Sequence, residues 1–304
     1  MARADANVPP ASCRVDVVST QENPARCRGH VDTRRRLIVN ADDFGRSSSI
    51  NEAVIRAHRE GILTTASLMV NEPASGQAVA LSKESPRLGV GLHISLLFGR
   101  SALPREKVPD LVNERGEFSE SPVAAGMKFF FRRELRAQIE AEVAAQFERF
   151  RATGLKCDHV NGHLHMHLHP VVFEILMRHA REWNITHVRL TRDPFWLNAR
   201  LAGGQWIYRA SHSLIYRWLS RRSRPALARS NVKFTRNVFG LLQNARVDEA
   251  FIARLLPQLP SGDSELYSHP SLTEFRHEFE ALVSPAVKQL VRGHNIELIR
   301  YQDL

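Results

Sequence analysis

The apolar pattern of the chain begins with Leu37-Ile38-Val39 and closes at Asn40-Ala41-Asp42-Asp43-Phe44-Gly45. A continuous aliphatic run of this kind predicts a strand covered on both faces, as in a parallel sheet. Gly45 permits a tight turn directly after the two carboxylates. Ser49-Ile50-Asn51-Glu52 reads as a capping box, and Ile50, Ala53, Val54, Ala57 and His58 keep helical spacing as far as Gly61. The same reading predicts further strands at 63–70, 88–94, 157–160, 187–190, 265–268 and 296–300. Helical periodicity covers 74–83, 132–153, 170–183, 248–256 and 273–292.

Strands alternating with helices imply a parallel sheet with crossover connections. Residues 36–304 make 269 positions, near the ~250 typical of a (β/α) barrel. The expected fold is therefore α/β, a barrel of about seven parallel strands with long insertions after the third and fifth. Asp42, Asp43, His93, His163 and His269 all follow the C-terminal ends of predicted strands, where barrels carry their chemistry. A doubly wound open sheet is the alternative, but it gathers its site at one switch point. Residues 1–34, rich in Ala, Arg and Pro, read as a disordered extension before a single domain at 35–304.

Composition narrows the class. With 43% hydrophobic residues among 304, the chain can bury a large core. No stretch approaches the ~20 apolar residues of a membrane span, and the N-terminus lacks a signal-peptide core, so a cytoplasmic protein is expected. Cys13, Cys27 and Cys157 have no metal-ligand spacing, which argues against a disulfide framework.

The net charge of +10 changes the picture only once it is located. Residues 194–247 hold ten Lys and Arg residues and no Asp or Glu, so the basicity is one local surface. No nucleic-acid reader motif accompanies it, and no nucleic acid partner is expected. Trp196, Trp206 and Trp218 lie in the same segment, and 206–219 has helical spacing. Arginines and tryptophans on an amphipathic helix suit peripheral contact with an anionic membrane through 196–222. An ordinary helix with a solvated basic edge accounts for them equally well.

One carboxylate and two histidines with open positions make a workable divalent-metal site. A second carboxylate beside them can take a proton from water, and a further histidine can give one to a leaving group. Asp42, Asp43, His93, His163 and His269 supply that set, which suits metal-assisted hydrolysis. Taken singly, His93 and His269 would most often be ordinary buried histidines. The run His163, His165, His167 and His169 is harder to dismiss, because an extended chain lines alternate side chains along one face.

These stretches carry a resemblance. LIVNADDFG, Gly91-Leu92-His93, HVNGHLHMHLHP and Ser268-His269-Pro270 resemble the YdjC-like carbohydrate deacetylase family, over residues 36–304. TASLMV, AQFERFRATG and NVFGL are similar to its hopanoid biosynthesis-associated branch. The resemblance implies a distorted TIM-like barrel that removes an N-acetyl group from an amino sugar, here one carried by a hopanoid lipid. It implies one divalent ion, magnesium or zinc, held by Asp43, His93 and His163, with Asp42 as base and His269 as acid. Substrate contacts are expected from His165, His167, Asn71 and Arg189. Chitooligosaccharide-deacetylating relatives have Asp-Ser-His where this chain has Asn161-Gly162-His163, so a carboxylate beside the metal site is replaced by an amide. A metal phosphoesterase and a non-catalytic lipid- or metal-binding protein are the competing functions. Asp42 separates the last of these, since sequestration needs no spare carboxylate.

Overall fold

The computed structural model of the chain describes residues 34–243 and 245–304; the expected extension lies, apart from Arg34, outside them. Among the described residues seven strands appear in chain order: β1 (Arg35–Phe44), β2 (Thr65–Leu68), β3 (Gly89–Ile94), β4 (Cys157–Gly162), β5 (Asn237–Phe239), β6 (Gly262–Ser268) and β7 (Ile296–Leu298). All pairings among these strands are parallel, in the order β4-β3-β2-β1-β6-β5, with β7 against the start of β1. β1 is the central strand, and its residues from Leu37 onward are buried. Its aliphatic run needs apolar cover on both faces: Leu37 and Val39 join the large core, while Ile38 packs on the other face against Ile299 and Tyr301.

The segment 186–192 carries the hydrogen bonding from β4 round to β5. Val160 donates to the carbonyl of His187 (2.9 Å), Val188 to that of Lys233 (3.0 Å), and Val238 to that of Arg192 (2.9 Å). The sheet thus curls into a distorted barrel. The strand expected at 187–190 is present only as isolated bridges. β5 had no counterpart in the sequence reading: it is three residues long and lies inside the segment read as one basic insertion.

The helices are α1 (Ser48–Glu60), α2 (Ser75–Lys83), α3 (Pro122–Phe131), α4 (Leu135–Ala152), α5 (Pro170–Arg178), α6 (Phe195–Leu201), α7 (Trp206–Arg229), α8 (Glu249–Leu255), α9 (Arg276–Val283) and α10 (Pro285–Gly293). The cap of α1 is Ser47, whose side chain accepts from the amide of Ile50, and not Ser49 as expected. The long helix expected at 273–292 is two helices. Pro285 has no amide hydrogen to continue α9 and instead opens α10 behind the Ser284 cap. The excursion after β3 contains α3, and the basic insertion is largely α6 and α7. No helix among the described residues is long and apolar enough to cross a membrane.

Candidate active site

Adjacent residues of a regular strand point to opposite faces of the sheet, so Asp42 and Asp43 should diverge. They do not, because the pairing of β1 with β2 shifts register between Ala41 and Phe44, and Asp43 takes a left-handed φ of 62°. Asp is among the residues that tolerate this region. The irregularity turns both carboxylates into one cavity of about 740 Å³, which His93, His163, His165 and His269 also line. Strand register does the rest. His93 pairs with Asn161 across β3 and β4, and Ala41 pairs with Ser268, which leaves His269 beside Asp42.

Donor atoms of Asp43, His93 and His163 lie within 4.8 Å of one another, all three residues buried. Asn161 fixes the chemistry of His93. Its Nδ2 donates to Asp42 Oδ1 (3.0 Å) and to Ser67 Oγ (2.9 Å), so its Oδ1 faces Nδ1 of His93 at 2.7 Å. An amide oxygen has no proton to give, and Nδ1 of His93 must therefore carry one. In the neutral ring the lone pair is on Nε2. That buried atom has no hydrogen-bond partner and stands 3.4 Å from Asp43 Oδ1. Two electron-rich atoms facing each other without a proton between them fit a bound cation. Two imidazoles and a carboxylate are also the donor set that a divalent transition metal takes. Nδ1 of His163 approaches the same Asp43 oxygen at 2.9 Å, while Arg46 donates to Oδ2 at 3.0 Å.

Asp42 is braced differently. Its Oδ1 accepts from Asn40 (2.8 Å), Asn161 and Nη2 of Arg189 (2.9 Å); its Oδ2 accepts from Nη1 of Arg189 (2.7 Å). Oδ2 keeps a lone pair free. Burial alone raises the Asp42 carboxyl, but the Arg189 guanidinium outweighs it and holds the group well below the usual carboxylate range. Asp43 is likewise raised by burial and brought well below that range by His163. Arg189 is itself fully buried and donates from Nε (2.9 Å) and Nη2 (2.6 Å) to Glu265, which also accepts from the Tyr301 hydroxyl.

The four histidines of the run do not line up along an extended face, although His163, His165 and His169 all line the cavity. Leu164 and His165 both have left-handed φ (49° and 59°), so the chain coils immediately after His163. His165 packs edge-on against Tyr216 and Tyr267, and burial pushes its imidazole well below the ordinary value. His167 donates from Nε2 to the carbonyl of Arg189 (2.9 Å), and burial lowers it to about 3. His169 bonds to the carbonyl of Gly126 in α3 (3.1 Å).

The expected substrate contacts divide accordingly. His165 lines the cavity. Arg189 and His167 are fully buried and lie outside the residues that line this cavity. Asn71 is tied instead to Glu142 and Arg149 of α4. Asn161, Arg46 and Glu265 entered no sequence-based list of site residues. Asn161 was marked only as a departure from a motif, and nothing local singles out a Glu inside a predicted strand.

The molecule is thus an α/β barrel protein with a carboxylate–imidazole centre at the C-terminal ends of its strands. Residues 36–293 match the family model described as YdjC-like protein, and the chain belongs to that family. A carbohydrate deacetylase of Geobacillus stearothermophilus is 42% identical over 152 residues, 50% of this chain and 58% of the relative. Another, of Clostridium beijerinckii, is 29% identical over 88% of this chain and 100% of its own. The chain thus spans less than three fifths of the first relative and the whole of the second. The fold resembles the crystal structure of a proposed cellobiose-phosphate cleavage protein of Enterococcus faecalis V583, with a TM-score of 0.67 and 22% identity. That likeness covers 89% of this chain and 98% of the other.

Proposed function

We propose that the chain is a metal-dependent hydrolase that removes the acetyl group from an N-acetylated amino sugar, carried on a hopanoid-type lipid. The observation that carries this reading is the orphaned Nε2 of His93 facing Asp43, with a second, separately braced carboxylate in the same cavity. The relatives described as carbohydrate deacetylases support the substrate class.

Asp43, His93 and His163 would hold one divalent ion, zinc or magnesium. Such an ion supplies an acidified water and a polarised carbonyl. Asp42 takes the proton of the attacking water on its free Oδ2 lone pair, and Arg189 keeps that oxygen aimed at the cavity. His269, a quarter exposed and lining the same cavity, protonates the amine nitrogen as the C–N bond breaks. Water oxygen bonds to the acetyl carbon, and acetate and a free amine leave. Asn161 holds His93 in one tautomer and Asp42 in one orientation at once. Among the described residues no other cluster offers three such donors, which favours amide hydrolysis at one ion over a two-metal phosphoesterase. Peripheral contact with an anionic membrane through 196–222 would accompany this reading without carrying it.

The test is metal content by mass spectrometry together with acetate release from an N-acetylglucosaminyl lipid and from a soluble N-acetylglucosamine analogue. One ion per chain and stoichiometric acetate are expected. Metal binding with cleavage of phosphate esters and no acetate would overturn the reading.

A further inference from the structure

The large hydrophobic side chains that stand exposed among the described residues are not scattered. On α3 they are Val123, Met127, Phe130 and Phe131; on α7 they are Trp206, Ile207, Leu214, Ile215 and Trp218. Leu164 of the histidine run and Trp196 of α6 complete the set. The α3 residues follow i, i+4, i+7 and i+8, and Ile207, Leu214 and Trp218 follow i, i+7 and i+11. Each helix therefore turns an apolar stripe to solvent. This inverts the usual arrangement, in which the apolar stripe faces the core.

Both stripes meet at one place. Val123, Met127 and Phe130 from α3, and Ile215 and Trp218 from α7, line the cavity whose floor holds Asp42, Asp43 and His93. Around them Arg217, Arg221, Arg222 and Arg224 of α7 are exposed, as are Arg132 and Arg133 just beyond α3. We propose that α3 and α7 together form a docking face that seats the cavity mouth on an anionic lipid bilayer, so that a lipid-linked sugar enters from the membrane plane. The headgroup's identity rests on the deacetylase reading; the contact itself does not.

Charge decides among occupants. A second copy of the chain would bring the acid-free 194–247 segment against its own positive charge. A soluble apolar ligand would fill the cavity and leave Trp196, Trp206 and Ile207 uncovered. A bilayer with anionic headgroups satisfies both the arginines and the stripes. Contiguous exposed apolar surface of this kind, rimmed by charge, marks an interaction site.

The test is co-sedimentation of the full chain with phosphatidylglycerol-containing vesicles and with pure phosphatidylcholine vesicles. Variants are chosen off the cavity wall: Phe131→Ser on α3, Ile207→Ser with Leu214→Ser on α7, and the triple Arg217→Ser, Arg221→Ser, Arg222→Ser. Phe131→Ser and the α7 pair are each expected to weaken anionic-vesicle binding about tenfold. The arginine triple should weaken it about 100-fold at low salt and much less at high salt. Hydrolysis of a soluble N-acetylglucosamine analogue should be unchanged in all three, as should the melting temperature. Wild-type vesicle binding by Phe131→Ser, no preference for anionic vesicles, or a dimer by size-exclusion chromatography that the Ile207→Ser, Leu214→Ser pair converts to monomer would each overturn the proposal. If binding follows the expected order while no acetyl sugar is cleaved, the docking face stands and the deacetylase reading falls.

Discussion

Replacing Arg189 with Met tests whether the buried guanidinium carries the charge of Asp42. In the native protein it makes four hydrogen bonds, two to Asp42 and two to Glu265, at 2.6–2.9 Å with no exposure to solvent. Methionine keeps much of the aliphatic stem but leaves two buried carboxylates without a cation. Breaking a buried ion pair from one side costs about 3–5 kcal/mol. Against a total stability of roughly 5–15 kcal/mol, Arg189→Met should fold but melt about 10 °C lower.

The pH dependence gives a sharper reading. Asp42 is depressed in the folded state, so its contribution to stability is present above its unfolded value, about 3.9, and lost as pH falls through the folded one. Without Arg189, burial, which raises the carboxyl, is opposed only by His93, His269 and the amide donors Asn40 and Asn161, and the balance shifts upward. The folded variant then binds more protons than the folded wild type, and its stability relative to wild type falls as pH rises. Urea unfolding at pH 5 and pH 7 should show a smaller gap between variant and wild type at pH 5. A gap that is the same at both values, or below about 1 kcal/mol, would refute the role assigned to Arg189.

Asp42→Asn should keep the metal and lower turnover by about 10² to 10⁴, as loss of a proton acceptor does; metal lost together with activity would count against the base role. In His269→Ala, the limb of the pH–rate profile that falls at high pH should disappear, and its survival would put the proton donor elsewhere. Asn161→Leu removes the acceptor that fixes the His93 tautomer and should weaken metal binding about 10- to 100-fold in a chelator competition. Undiminished affinity there would mean that something other than Asn161 orients the ring.

Much of the frame was legible in the sequence because its signals are local. The Leu37–Val39 run announced a doubly covered strand, and the alternation of elements announced a parallel α/β sheet with the chemistry at strand ends. The residues that gather at the centre were also readable one by one, since Asp43, His93 and His163 each stand at the C-terminal end of a strand. How they meet was not. The register shift that turns Asp42 and Asp43 to the same side depends on how β1 lies against β2, and no period in β1 itself encodes it. Arg189 reaches Glu265 across 76 residues of chain and Asp42 across 147, so its burial under the site follows only from packing. The alternating histidines suggested an extended shared face, but left-handed turns at Leu164 and His165 break the alternation, leaving three of them on the cavity and His167 on the Arg189 carbonyl. No helix was expected at α3, which lies in the excursion after β3, and the spacing at 206–219 suited membrane contact and packing on the barrel equally well. Only the tertiary fold, by turning the apolar stripes of α3 and α7 outward around one cavity, decides that they face something other than the protein itself.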